Sequence, residues 1–221
     1  MRYQDLLSYL WKGILGGISI GIAALCFLKG GKLIGAALFA FGLSAIIMGQ
    51  WKLFTGACGF ADYRKTISWV NIILMLIANA VGVILACVFG ANQDMIDAAQ
   101  EVGALRASTP FIRLLGGGIL CGFIMTVSVM HARNGKWLPL ILGIPTFVIC
   151  GFPHCIADIA YYWLSGEWGI HWGVTILGNF IGCNIPTLTL KERKPLFLSD
   201  YRSDNGSMDL SEALNKGNNI V

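Results

Sequence analysis

The chain has 221 residues, 56% hydrophobic and 13% charged, with a net charge of +4 and a mean hydropathy of +0.68. Soluble domains carry about 25% charged residues, so a water-soluble globule is excluded and lipid is the expected solvent. The modest charge, with no basic cluster interleaved with aromatics, excludes nucleic acid as a partner.

A membrane helix needs about 20 mostly apolar residues. The opening MRYQDLLSYLW contains Asp5 and lacks a small-residue cleavage pattern, so no cleavable signal peptide is predicted. Uncharged runs then predict six spans in order: 13–28 (with Lys12 snorkelling to the interface), 33–51, 66–93, 114–132, 137–157 and 168–190. Together they make one transmembrane pore domain over 1–190. A polar cytoplasmic tail, 191–221, is expected to be disordered at its end. Twelve Lys and Arg fall on the side of the N-terminus. Four fall on the other side: Lys29, Lys32, Arg106 and Arg113. That asymmetry predicts both termini in the cytoplasm, with an acidic loop at 91–110 facing out.

The spans are rich in glycine (GILGGISIG, GGGILCG, GNFIGC), which lets helices approach closely in lipid. Seven cysteines, odd in number and without a CxxC pair, read as small hydrophobes inside helices. No metal or cofactor is expected. Trp51, Trp69, Trp137, Trp168 and Trp172 fall near span ends, where an aromatic belt belongs, and His131 and His171 are expected at the interface.

Two stretches break the pattern. IIMGQWKLFTGACGF (46–60) closes the second span with Lys52-Leu53-Phe54-Thr55-Gly56, and PTFVICGFPHCIADIAYYW (145–163) interrupts the fifth at Pro153-His154. The spans that follow them share a small-Asn-x-x-Gly pattern, at Asn79–Gly82 and Asn179–Gly182. The chain thus reads as two three-span units. Three is odd, so the units have inverted topology, and in such folds broken helices at matching places build the substrate site. Non-helical backbone at membrane depth is tolerated where it lines a cavity or is buried in protein.

LFTG after the second span, GF-x-H in the broken fifth and GN-x-IG in the sixth resemble the formate/nitrite transporter family, over nearly all of residues 8–190. The resemblance implies an all-α, aquaporin-like fold. It implies a homopentamer in the plasma (bacterial inner) membrane, with a pore through each protomer for small monovalent anions. By that resemblance the central pore histidine is His154 and the loop threonine is Thr55, with Leu53 and Phe54 beside it. The apolar constrictions fall on Phe39, Leu43 and Phe147, and the basic vestibule residue, a lysine in relatives, falls on Arg106. Four positions depart from the pattern: Pro153 for Glu, Asp158 for Asn, Lys52 for an acidic residue and Gly122 for Asn.

The chemistry follows from the residues. An anion crossing apolar walls loses its hydration at large cost, unless a proton neutralises it. His154 is the one side chain inside the spans whose ordinary pKa, near 6.5, allows exchange at physiological pH. Burial opposes the imidazolium, and Asp158, one turn away if a helix resumes after Pro153, would favour it. Thr55 can donate one hydrogen bond to a carboxylate, the aromatic and leucine side chains would keep the pore dry, and Arg106 would draw anions into the mouth. Protons, lipid and the anion are therefore the expected partners. Formate leads, ahead of nitrite, hydrosulfide, acetate and lactate. A neutral-solute pore would want paired Asn-Pro-Ala motifs, which are absent. A membrane enzyme would want a nucleophile beside His154 and Asp158, and none stands there in sequence.

Overall fold

The structure, a computed structural model, describes residues 3–188, and those residues form helices and turns with no strand. The expected cytoplasmic tail, 191–221, and the last two residues of the sixth expected span lie outside the described residues. Eight α-helices follow one another: α1 (Tyr3–Met48), α2 (Phe54–Ala57), α3 (Thr66–Gly90), α4 (Gln93–Ser108), α5 (Phe111–Arg133), α6 (Leu138–Ile149), α7 (Ala157–Ser165) and α8 (Ile170–Asn184). Of these, α1, α3 and α5 are long and apolar enough to cross a membrane. Large apolar side chains cover the outside: Leu33, Phe89, Ile112, Leu142 and Ile170 are each more than half exposed. Such a surface needs lipid or another chain around it.

The helix bounds correct the expected spans in three places. The first two spans run as a single helical stretch, α1, folded over at Gly31, whose φ of 68° ends one arm and starts the next. A positive φ costs a glycine nothing, so one residue replaces the expected loop. The fifth span stops at Ile149, turns at Gly151 (φ 71°), runs irregularly to Ile156 and resumes as α7, which carries helix past Asp158 to Ser165. The region 91–110, expected as a loop, is mostly the helix α4. Asn92 caps it by accepting a hydrogen bond from Met95 N, and Asp94 and Arg106 match the charge of its first and last turns.

Two helix pairs hold the core. The first arm of α1 crosses α3 through Gly17 and Gly82. A Cβ on Gly17 would lie 2.1 Å from Asn79 O, and one on Gly82 would lie 2.1 Å from Ile14 O. In the same way α5 crosses α8 through Gly122 and Gly182, where a Cβ would meet Asn179 O at 2.3 Å and Ile119 O at 1.9 Å. Backbones this close gain dispersion and weak C–H contacts that lipid tails cannot supply. The Gly122 departure thereby has a physical reason: no side chain fits between α5 and α8 at that crossing.

A candidate anion pore between two interrupted helices

Both interruptions leave backbone groups without helical partners, and each is repaired by one asparagine. In the first, α1 ends at Met48, Gln50 adopts a φ of 52°, and an extended Leu53 leads into α2. The Asn79 side chain accepts from Phe54 N at 2.9 Å and donates to Lys52 O at 2.9 Å and to Gly13 O at 2.7 Å. In the second, Asn179 accepts from Cys155 N at 2.8 Å and donates to Pro153 O and Gly118 O, both at 2.9 Å. A buried donor or acceptor without a partner costs about 1–3 kcal/mol, so these two amides make irregular backbone tolerable at this depth. Pro153 fits the second break because it has no N–H to satisfy. Trp172 Nε1 donates to the freed Cys155 carbonyl at 2.9 Å.

The two repaired segments touch. Thr55 Oγ1 lies 2.9 Å from His154 Nε2, and both residues are buried. On its other side the His154 ring receives the Ala157 N–H at Nδ1, 3.2 Å away. A neutral imidazole has one donor nitrogen and one acceptor nitrogen. The Ala157 bond therefore assigns the proton to Nε2, with Thr55 Oγ1 as its acceptor, and Thr55 keeps its own hydroxyl proton for a further acceptor. A second proton on His154 would set an Nδ1–H against the Ala157 N–H, so the turn favours the neutral ring. Cys183 Sγ donates to the Thr55 carbonyl at 3.2 Å, which anchors the threonine backbone.

Apolar side chains crowd this pair. Phe147 stacks on His154 with ring centroids 5.8 Å apart, and Phe39 meets Phe147 edge-on, also at 5.8 Å. Leu43, Leu53 and Phe54 are buried as well. A cavity of about 580 Å³ opens on the side of Phe39, Phe147 and His154, and Lys32 and Arg113 also line it.

Arg106 and Asp158 line the same cavity, in an arrangement the sequence did not suggest. Arg106 is not a free charge in the mouth. Its side chain is 12% exposed, its guanidinium donates to Gly151 O at 2.7 Å, and its Nε lies 3.5 Å from Asp158 Oδ1. Asp158, whose side chain is 1% exposed, takes Arg106 as its charged neighbour, while the two His154 ring nitrogens face Thr55 and Ala157. The clip to Gly151 ties α4 to the second break. No signal in the sequence links residues so far apart.

The formate/nitrite transporter family profile matches residues 2–181 of the chain. Among solved structures the fold is similar to "Pentameric formate channel with formate bound", at 18% identity with a TM-score of 0.71, covering 85% of this chain and 96% of that one. It is also similar to "FNT family ion channel", at 18% identity with a TM-score of 0.69, covering 81% and 86% of the two chains. No curated protein matches the chain significantly.

Proposed function

The chain belongs to the formate/nitrite transporter family, and on that premise we propose that it is a channel or proton-coupled transporter for small monovalent anions, formate first among them. The observation that carries this reading is the Thr55–His154 hydrogen bond, which joins two interrupted segments beside the Phe39–Phe147 pair. A polar point one hydrogen bond wide, next to apolar rings, suits a solute of a few atoms that has shed its water. Such a passage opposes hydrated cations and charged species alike. A carboxylic acid passes most cheaply as the neutral molecule, accepting from the Thr55 hydroxyl as it goes. His154 acts as a neutral Nε2–H group that orients Thr55, in keeping with the Ala157 bond at Nδ1.

The matched bonding of Asn79 and Asn179 supports two three-helix repeats of inverted topology, with the second and fifth spans broken, in an aquaporin-like arrangement. The excess of Lys and Arg on one side supports both termini in the cytoplasm of a bacterial inner membrane. The pentameric assembly named for the similar formate channel suggests a homopentamer here, with the exposed apolar faces shared between neighbouring copies and lipid. Nitrite, hydrosulfide, acetate and lactate are the competing substrates for the same passage.

The test is uptake of each anion into proteoliposomes at two external pH values. Formate uptake above protein-free vesicles, rising as the outside is acidified, is the expected result. Movement of glycerol or water without anion uptake would replace this reading with a neutral-solute pore.

A further inference from the structure

We propose that Arg106 and Asp158 form an entry site where the anion and its proton are taken up together, the anion at Arg106 and the proton at Asp158. The inference rests on the proposed transport of a small acid and names the proton carrier for it.

Three observations place the site. First, both residues line the cavity of about 580 Å³ that leads to Phe147 and His154. Second, the pair is incomplete. Among the described residues, Arg106 Nε and both Asp158 carboxylate oxygens are buried without a hydrogen-bond partner, and the Nε–Oδ1 separation of 3.5 Å is long for a direct bond. At 3.5 Å nothing fits between the two atoms, so a group that serves both sits beside them in the cavity, where it must accept from Arg106 and accept from or donate to Asp158. A monocarboxylate together with one proton does this, since one oxygen accepts the Nε–H while the shared proton bridges to the aspartate. The bare anion would meet the aspartate's charge. Third, the surroundings leave the choice to these two residues. Cys121, His154, Cys155, Tyr161 and Tyr162 also face Asp158, and among them only His154 ordinarily titrates near neutrality. His154 is held neutral by its bonds to Thr55 and Ala157. Thr175 stands beside the carboxylate with its hydroxyl donated to His171 O.

The step balances without a further reactant. A proton enters from the vestibule and bonds to an Asp158 oxygen, which frees Arg106 to bind the anion through Nε. The Asp158 O–H bond then breaks as an O–H bond forms on the substrate. Asp158 returns to its ion pair with Arg106, and the neutral acid moves on past Phe39 and Phe147. No net charge passes the rings.

The experiment measures labelled formate uptake and internal acidification together, in proteoliposomes of wild type, Asp158→Asn, Asp158→Glu and the double variant Arg106→Gln/Asp158→Asn. Uptake that needs one proton falls about tenfold per pH unit above the controlling pKa. Wild type and Asp158→Glu should show this fall with about one proton entering per formate. Asp158→Asn should flatten the pH dependence and lower uptake, because its unquenched Arg106 holds the anion and no carboxyl supplies the proton that lets it past the rings; the formate that still crosses carries about one proton each. The double variant removes both charges together and leaves no lone buried charge to unfold the protein. It should also lose the pH dependence, with uptake at low formate about tenfold lower, as loss of one charge-assisted bond implies. A wild-type pH profile and uptake rate in either Asn-bearing variant would overturn the proposal while leaving anion transport intact. Wild type that moves no anion at all overturns the transport reading, and this inference with it.

Discussion

Asn79 and Asn179 make the same three hydrogen bonds, one to an amide and two to carbonyls, each at its own break in the chain. The partners correspond one to one: Phe54 N with Cys155 N, Lys52 O with Pro153 O, and Gly13 O with Gly118 O. Leu53 and His154 therefore hold matching places in the two interruptions. One is an apolar side chain and the other is the imidazole, so two segments with the same backbone repair present different chemistry.

Replacing either asparagine by Ala should accordingly cost about the same stability. Each leaves one amide and one to two carbonyls short of partners in a buried site, about 2–9 kcal/mol at about 1–3 kcal/mol per orphaned group. Thermal unfolding of purified Asn79→Ala and Asn179→Ala in detergent should show similar losses. A loss confined to one of them would mean that the two repairs are not energetically alike.

The matching places of the two asparagines were legible in the sequence as the small-Asn-x-x-Gly pattern, but not that each amide bonds to the non-helical segment before it, because the pattern carries no sign of its long-range partners. Non-helical backbone at 49–53 and 150–156 falls where Lys52–Gly56 and Pro153-His154 interrupt apolar runs with polar or helix-breaking residues. What the sequence hid has a common physical cause. The boundary between the first two spans is legible at Lys29–Lys32, but that Gly31 alone makes the fold-over, with helix on either side and no loop, is a matter of one φ angle that local pattern does not carry. The α4 helix carries its apolar positions on a short, acidic segment that reads as a loop. The Arg106–Asp158 pair depends on α4 folding back over the second break, and pairing between distant elements leaves no mark in local pattern.

The glycine crossings supply a sharper stability test. A Cβ at Gly182 would stand 1.9 Å from Ile119 O and one at Gly122 would stand 2.3 Å from Asn179 O, whereas nothing lies within 4 Å of a Cβ at Gly116 or Gly173. Gly182→Ala and Gly122→Ala must push backbone apart, an overpacking cost of about 1–3 kcal/mol or more. Gly116→Ala and Gly173→Ala should be neutral or slightly stabilising, because they lower the entropy of the unfolded chain. Equal melting temperatures for the two sets would show that the crossings are looser than these distances.

At the centre, Thr55→Ser keeps the hydroxyl that meets His154 Nε2 and should retain most formate uptake. Thr55→Val keeps the shape and removes the acceptor, leaving the Nε2–H unsatisfied. Its uptake should fall by about tenfold or more, given about 1–3 kcal/mol for an orphaned buried donor. Val that transports like Ser would remove the Thr55–His154 bond from the passage.

The Phe39–Phe147 contact should set the size limit. Phe147→Ala also removes the ring stacked on His154, so Phe39→Ala is the cleaner variant. Opening the edge-on pair should admit acetate and lactate at rates nearer to formate, about tenfold less discrimination by analogy with the 10–200-fold effect of a methylene in an apolar pocket. Unchanged ratios among the three acids would place the selective constriction elsewhere, with Leu43, Leu53 and Phe54 the next candidates.

Salt separates two roles for the basic residues around the cavity. An exposed mouth charge raises local anion concentration, and ionic strength screens that effect over about 8–10 Å at physiological salt. Lys32 and Arg113 are exposed and line the cavity, so they fit this role. Arg106 does not, being mostly buried, bonded to Gly151 O and beside Asp158. Arg113→Ala should lower formate uptake most at low formate and low ionic strength, and the gap from wild type should close as either rises. Arg106→Ala leaves Asp158 buried without its counter-charge and frees the turn at Gly151. Its loss should persist at all salt concentrations, and Arg106→Lys should restore part of it by restoring the charge without the planar fork. If the Arg106→Ala deficit vanished in high salt, the residue would act through long-range attraction after all. The buried pair seen here would then not be its working state.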